Sequence, residues 1–128
     1  MLDVNPDTVC FLIDKAAEFH AKEEVVIPEE PLQPSDDWAL QILADHTDDP
    51  TFQEFKSTVE DLEPDQQATV IALMWLGRGD YTEDEWEAAV ADARDRNTRR
   101  PAEYLISTPL VADYLAEGLN VMGYSCEE

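Results

Sequence analysis

The chain has 128 residues, 44% of them hydrophobic, and sets 30 acidic against 8 basic side chains for a formal net charge of -22. That length suits one domain with one core, and 3 Trp, 4 Tyr and 4 Phe supply core anchors that a charge-swollen disordered chain lacks. The charge argues against direct nucleic-acid binding, by repulsion from phosphate, and the longest apolar run, Ala68 to Leu76 with Thr69 inside it, is too short to span a membrane.

The opening Met-Leu-Asp-Val-Asn-Pro-Asp holds no basic segment followed by an apolar stretch, so the sequence predicts a cytoplasmic protein. In that compartment Cys10 and Cys126 are expected as reduced thiols rather than as a bridge.

Asn5 and Pro6 form a helix start: Asn5 caps, Pro6 suits the first helical position, and Val4 can staple onto Val9. The helix is expected to reach about Lys22 with Val9, Leu12, Ile13, Ala16, Ala17 and His20 along its apolar stripe. Residues 24–34 hold Pro28, Pro31 and Pro34 among glutamates and read as an extended connecting arm. Ser35, Asp36 and Asp37 can then cap a helix carrying Trp38, Leu40, Ile42 and Leu43 to about His46.

Asp49-Pro50 repeats the cap before a helix that presents Phe52, Phe55, Val59 and Leu62. Pro64 opens the next, whose stretch Ala68 to Leu76 is apolar almost all round, the mark of a helix in the middle of a bundle. Gly77 or Gly79 supplies its C-cap. Thr82 and Glu85 form a capping box flanked by the staple pair Tyr81 and Trp86, starting a helix to about Asn97 with Trp86, Ala89, Val90 and Ala93 inward. A turn from Pro101 to Ile106 leads to a last helix, Pro109 to about Met122. Thr108 is expected to cap it, Gly123 to end it, and Leu110, Val111, Tyr114, Leu115, Leu119 and Met122 to form its stripe. No segment alternates with period two. The predicted fold is an all-α single-domain helical bundle of about five to seven helices, residues 1–128, with the Pro/Glu-rich arm after the first helix and a short polar tail at 124–128.

Three stretches look familiar together: the opening Met-Leu-Asp-Val-Asn-Pro-Asp-Thr-Val-Cys-Phe-Leu-Ile, the central Leu-Met-Trp-Leu-Gly-Arg-Gly-Asp-Tyr and the closing Gly-Tyr-Ser-Cys-Glu-Glu. They resemble a family of short acidic bacterial proteins known only as a domain of unknown function, and the resemblance covers nearly the whole chain. It implies a complete protein of that type and carries no catalytic residue to transfer.

The residues themselves offer little chemistry. Asp45-His46-Thr47-Asp48-Asp49 is the densest group of metal-capable ligands, but it lacks the glycine and terminal glutamate of a calcium loop and reads as a helix end followed by a cap. Glu-x-x-His and His-Glu-x-x-His are absent, so no metal and no cofactor are expected. His20 lies on an apolar stripe and reads as a hydrogen-bonded boundary histidine. Cys10, between Val9 and Phe11, reads as a buried inert thiol, and the thiolate of Cys126 is disfavoured beside Glu127 and Glu128. Gly77-Arg78-Gly79 follows a helix rather than a strand, so it is not a dinucleotide fingerprint. The acids Glu83, Asp84, Glu85 and Glu87 suit the first turn of a helix.

The basic residues are uneven: Arg94, Arg96, Arg99 and Arg100 are half of the chain's positive charge. The helix dipole accounts for Arg94 and Arg96. Arg99 and Arg100, near Tyr104, can pair with internal carboxylates or hold an external anion. The candidate interaction or anion site is therefore Arg99, Arg100, Tyr104 and Arg96, with Trp38 as a candidate surface aromatic.

Three functions fit. The first is a cytoplasmic, non-enzymatic adaptor or regulatory module that binds another protein. The second is an acidic mimic of nucleic acid that occupies a basic DNA- or RNA-binding protein, although the acids are spread evenly along the chain rather than gathered in one segment. The third is a bundle pocket in which Arg99, Arg100, Tyr104 or Tyr114 orients a small anion. No base and nucleophile pair can be named for catalysis. A homodimer stays open if Trp38 or the last helix leaves apolar area uncovered.

Overall fold

The structure, a computed structural model, describes residues 4–21, 49–96, 101–106, 108 and 110–126. Among these residues there are six α-helices and no strand: α1 (Pro6–His20), α2 (Pro50–Asp61), α3 (Pro64–Arg78), α4 (Trp86–Arg96), α5 (Pro101–Ile106) and α6 (Val111–Val121), with a 3-10 turn at Glu83–Glu85. The all-α bundle expected from the sequence is the fold. The Pro-rich arm, the helix of Trp38 and the His46 cluster lie outside the described residues.

The starts follow the local chemistry. The Asn5 side chain accepts from the Asp7 N–H at 2.8 Å, and Asp49 accepts from Thr51 and Phe52 at 2.9 and 3.1 Å. Each is followed by a proline whose missing N–H costs nothing there. At α3 the Glu63 N–H donates to Gln66 Oε1 at 2.9 Å, half of a capping box before Pro64. The Thr82 box also forms, its N–H donating to Glu85 Oε1 at 2.9 Å.

α3 is the central helix: every residue from Ala68 to Leu76 is buried, and it packs against α4, α5 and α6. α1 lies on α2 and α6, and α2 on α5. Lys15 of α1 reaches Glu54 of α2 at 2.7 Å, while Thr51 donates to Glu18 at 3.2 Å. Phe19 and Phe52 meet with ring centroids 5.8 Å apart in the core between the two helices.

α3 and α6 end alike. Asp80 donates to the Trp75 carbonyl and Gly79 to that of Leu76, and Tyr124 donates to Leu119 and Gly123 to Asn120. These are Schellman pairs closed by glycines at φ 95° and 92°. Gly79, not Gly77, ends α3. Gly77 is instead half of a helix crossing: a β-carbon there would lie on the Tyr114 carbonyl oxygen and 2.9 Å from the Gly118 nitrogen, and one on Gly118 would lie on the Leu73 carbonyl.

Four details differ from the sequence reading. On α1 Phe19 points inward and Ala17 is exposed, because burial runs through 9, 12, 16 and 19. Residues 101–106 form a helix rather than a turn. Thr108 does not cap α6; its hydroxyl donates to the Tyr104 carbonyl at 3.0 Å, and the helix begins after Leu110, held at φ 65° and 57% exposed. Finally, Cys10 and Cys126 are not free thiols: they form a disulfide, with Cα atoms 5.6 Å apart across 116 positions of sequence. α1 packs along α6, and the turn at Gly123 brings the following residues back to it, so neighbourhood decides where the compartment rule predicted otherwise.

His20 ties α1 to the end of α5. Its Nε2 lies 2.7 Å from the Ile106 carbonyl oxygen; a carbonyl only accepts, so Nε2 carries the proton. Burial holds the imidazole below the ordinary value of 6.5, although the bond to Ile106 opposes this. The folded state therefore favours neutral histidine: its contribution is full above the unfolded value and is lost as pH falls through the lower folded one. Urea midpoints measured from about pH 7.5 to about pH 5 should fall more steeply for the wild type than for His20→Gln. Equal slopes would remove His20 from the pH response.

Candidate functional site

The candidate site grows from the second half of α3, where the apolar run places Trp75 against the rest of the bundle, leaving 4% of its surface exposed. A buried indole still needs a partner for its N–H, and α5 supplies it: Trp75 Nε1–H donates to the Tyr104 hydroxyl at 3.0 Å. The Gly79 turn then sends the chain back so that Tyr81 stacks on the same indole, centroids 5.8 Å apart and planes 20° off parallel. Tyr81 O–H donates to Asp92 of α4. That bond, with a lesser contribution from burial, raises the phenol above its ordinary value of 10.0.

α4 brings its last turn over the same point. The Arg96 guanidinium lies 5.4 Å from the centre of the Trp75 ring, a distance at which the ring face attracts a cation. Arg94, two residues earlier, points elsewhere and pairs with Asp65 at 3.0 Å, while Arg78 pairs with Asp80 at 2.7 Å. Among the described residues no carboxylate lies within 4.0 Å of Arg96, although acids outnumber bases 30 to 8. The exposed Arg96 thus lies over an aromatic ring with no carboxylate partner among the described residues, and a guanidinium so placed can still offer N–H groups to a further acceptor.

The structure therefore brings together two of the four candidate residues, Arg96 and Tyr104, through a third, Trp75, which sequence reasoning treated only as core. The signal that could have found it was the indole N–H, which in an all-apolar stretch has no local acceptor. Arg99, Arg100 and Trp38 lie outside the described residues. The Tyr114 backbone carbonyl lies against Gly77 of α3 and its ring is half-buried against the core, with no contact to Arg96, Trp75 or Tyr104 among those the structure gives. Among the described residues no three His, Cys, Asp or Glu side chains gather as a metal site.

α5 carries Tyr104, and its position is fixed by polar ties. Besides Tyr104–Trp75 and Ile106–His20, the buried Glu103 carboxylate pairs with Lys56 of α2 at 3.3 Å. Removing one partner of a buried pair strands the other in a poor solvent. Lys56 is one-third exposed, so Lys56→Met should cost about 2 kcal/mol, less than a fully buried pair. Lys56→Met with Glu103→Leu should recover part of it. Urea unfolding of the three variants checks this, and a double variant no better than the single would contradict it.

Fold and cluster together define a small acidic helical protein that presents an arginine-capped aromatic stack at one end of its central helix. A family model described as a protein of unknown function (DUF3775) matches residues 52–124, more than half of the chain, and the chain belongs to that family. The match spans α2 through α6 and so includes the whole of the Trp75 cluster. Neither a curated protein nor a solved structure matches the chain.

Proposed function

We propose that the protein is a non-enzymatic interaction module, an adaptor or regulator that binds another protein through the surface around Arg96. The observation that supports this reading is Arg96 itself, a guanidinium over the Trp75 ring with no carboxylate partner among the described residues. Arginine and aromatic side chains are enriched where proteins meet, and the planar guanidinium fork loses less freedom per hydrogen bond on accepting a carboxylate than a flexible ammonium does. The acids near it in sequence, Asp92 and Asp95, weigh against a small free anion. A neighbouring protein can bring apolar contact as well as charge.

The reading includes a cytoplasmic setting in a bacterium, in keeping with the absence, among the described residues, of a helix long and apolar enough to cross a membrane. There the Cys10–Cys126 bond would be made and broken by the thiol pool rather than held permanently.

The test is affinity capture of the tagged protein from its native cytosol in parallel low- and high-salt washes, with wild type and Arg96→Ala compared. A partner retained in high salt and reduced at least tenfold by Arg96→Ala, with the melting temperature unchanged, is the expected result. A partner that binds both forms equally would place the surface elsewhere. Basic nucleic-acid binders released by salt from both forms would favour mimicry instead.

A further inference from the structure

We propose that the Cys10–Cys126 disulfide is a thiol–disulfide exchange site: a dithiol reductant opens it, frees the segment after Gly123 and uncovers part of α1, while the helical bundle stays folded.

Three observations carry this. The bond is at the surface, with Cys126 exposed and Cys10 half-buried, and exposed disulfides are the ones that exchange readily, in contrast to buried structural ones. The bond also adds no element to the bundle. α1 already lies on α6 through their own side chains, with Val9, Leu12, Leu115 and Leu119 in the core, and neither cysteine falls in residues 52–124, the stretch that matches the family. Among its described residues, the segment it tethers is held otherwise by one, Tyr124. Tyr124 donates to the Leu119 carbonyl at 2.8 Å and is half-buried against the core. α6 has already ended at Val121, and beyond Tyr124 the described residues Ser125 and Cys126 are exposed.

A thiolate of the dithiol attacks the exposed Cys126 sulfur, and the Cys10 sulfur leaves as a thiolate and takes a proton. The second thiol of the reductant, on losing its proton, attacks its own sulfur in the mixed disulfide. Cys126 is released as a thiolate that takes up that proton, and the reductant departs as a cyclic disulfide. Two electrons pass to the protein. Open, the chain end no longer shields Cys10, beside Phe11, which is already 39% exposed.

The test treats the purified, oxidised full-length chain with dithiothreitol at neutral pH without denaturant. Iodoacetamide trapping and intact mass count the thiols, circular dichroism follows the helices, and hydrogen exchange follows residues 122–128. The expected result is two alkylated cysteines, an unchanged helical signal, and fast exchange confined to the C-terminal segment and the start of α1. Cys126→Ser, which cannot close the bond, should show the same exchange pattern before any reductant is added. Cysteines that resist alkylation until denaturant is present would make the bond a structural staple and overturn the proposal. So would loss of the helical signal on reduction, or a purified chain whose thiols are both free under air oxidation.

Discussion

Gly118→Ala should destabilise the protein by about 3 kcal/mol, at the upper end for an overpacked interior, lowering the melting temperature by about 11 °C for a chain of this length. The reason is that α3 and α6 touch backbone to backbone. A β-carbon on Gly118 would lie on the Leu73 carbonyl oxygen, 3.0 Å from its carbon and 3.3 Å from the Leu73 Cα. None of these atoms can swing aside as a side-chain tip would, so the helices must separate and the packing of the whole crossing is lost. Gly77→Ala meets the reciprocal obstacle, 2.7 Å from the Tyr114 carbonyl carbon, and should cost a similar amount. Gly79→Ala provides the contrast. Its new β-carbon would meet nothing within 4 Å, but the residue holds φ 95°, so strain alone acts and about 1 kcal/mol is expected. Thermal melts of the three variants rank the causes. A Gly118→Ala protein as stable as Gly79→Ala would show that the helices do not approach this closely.

That crossing marks the limit of what the sequence makes legible. Helix starts are local events, and Asn5-Pro6, Asp49-Pro50, Glu63-Pro64 and the Thr82–Glu85 box could all be found from a few residues. The central place of α3 also follows from composition, since a helix apolar on every side has no face to give to water. What depends on a partner element was not legible. Gly77 beside Gly79 looks like a second chance at the same cap, and only the position of α6 shows that one glycine packs and the other turns. On α1, three- and four-residue spacing admits two overlapping stripes, one through Ala17 and His20 and the other through Phe19, and contact with Phe52 selects the second. Thr108 has the right residue type for a cap but spends its hydroxyl on the preceding turn.

The candidate site divides in the same way. An arginine-rich end of a helix near a tyrosine is visible in the sequence, and Arg96 and Tyr104 do converge. Their meeting point is Trp75, some 20 positions from Arg96, and no spacing rule links the last turn of one helix to the last turn of the next.

Loss of the Cys10–Cys126 bond should have the other large effect on stability. It joins positions 116 apart in sequence, and closing so long a loop removes conformational freedom from the unfolded chain worth about 5 kcal/mol on the chain-entropy account, while measured values run nearer 2–4. Cys126→Ser, or the reduced wild type, is therefore expected to unfold about 3–5 kcal/mol more easily, with a melting temperature about 11–18 °C lower. The effect lies in the unfolded state. The denaturant slope should therefore change along with the midpoint, because an uncrosslinked chain expands further and exposes more surface. A native stability of about 6–19 kcal/mol, the usual range for 128 residues, exceeds this loss, so the reduced bundle remains folded at room temperature and gives way sooner on heating. Melts with and without dithiothreitol, repeated on Cys126→Ser, separate the causes. The variant should melt at the reduced temperature in either buffer. A reductant-induced drop that persists in the variant would show that the loss comes from somewhere other than this bond.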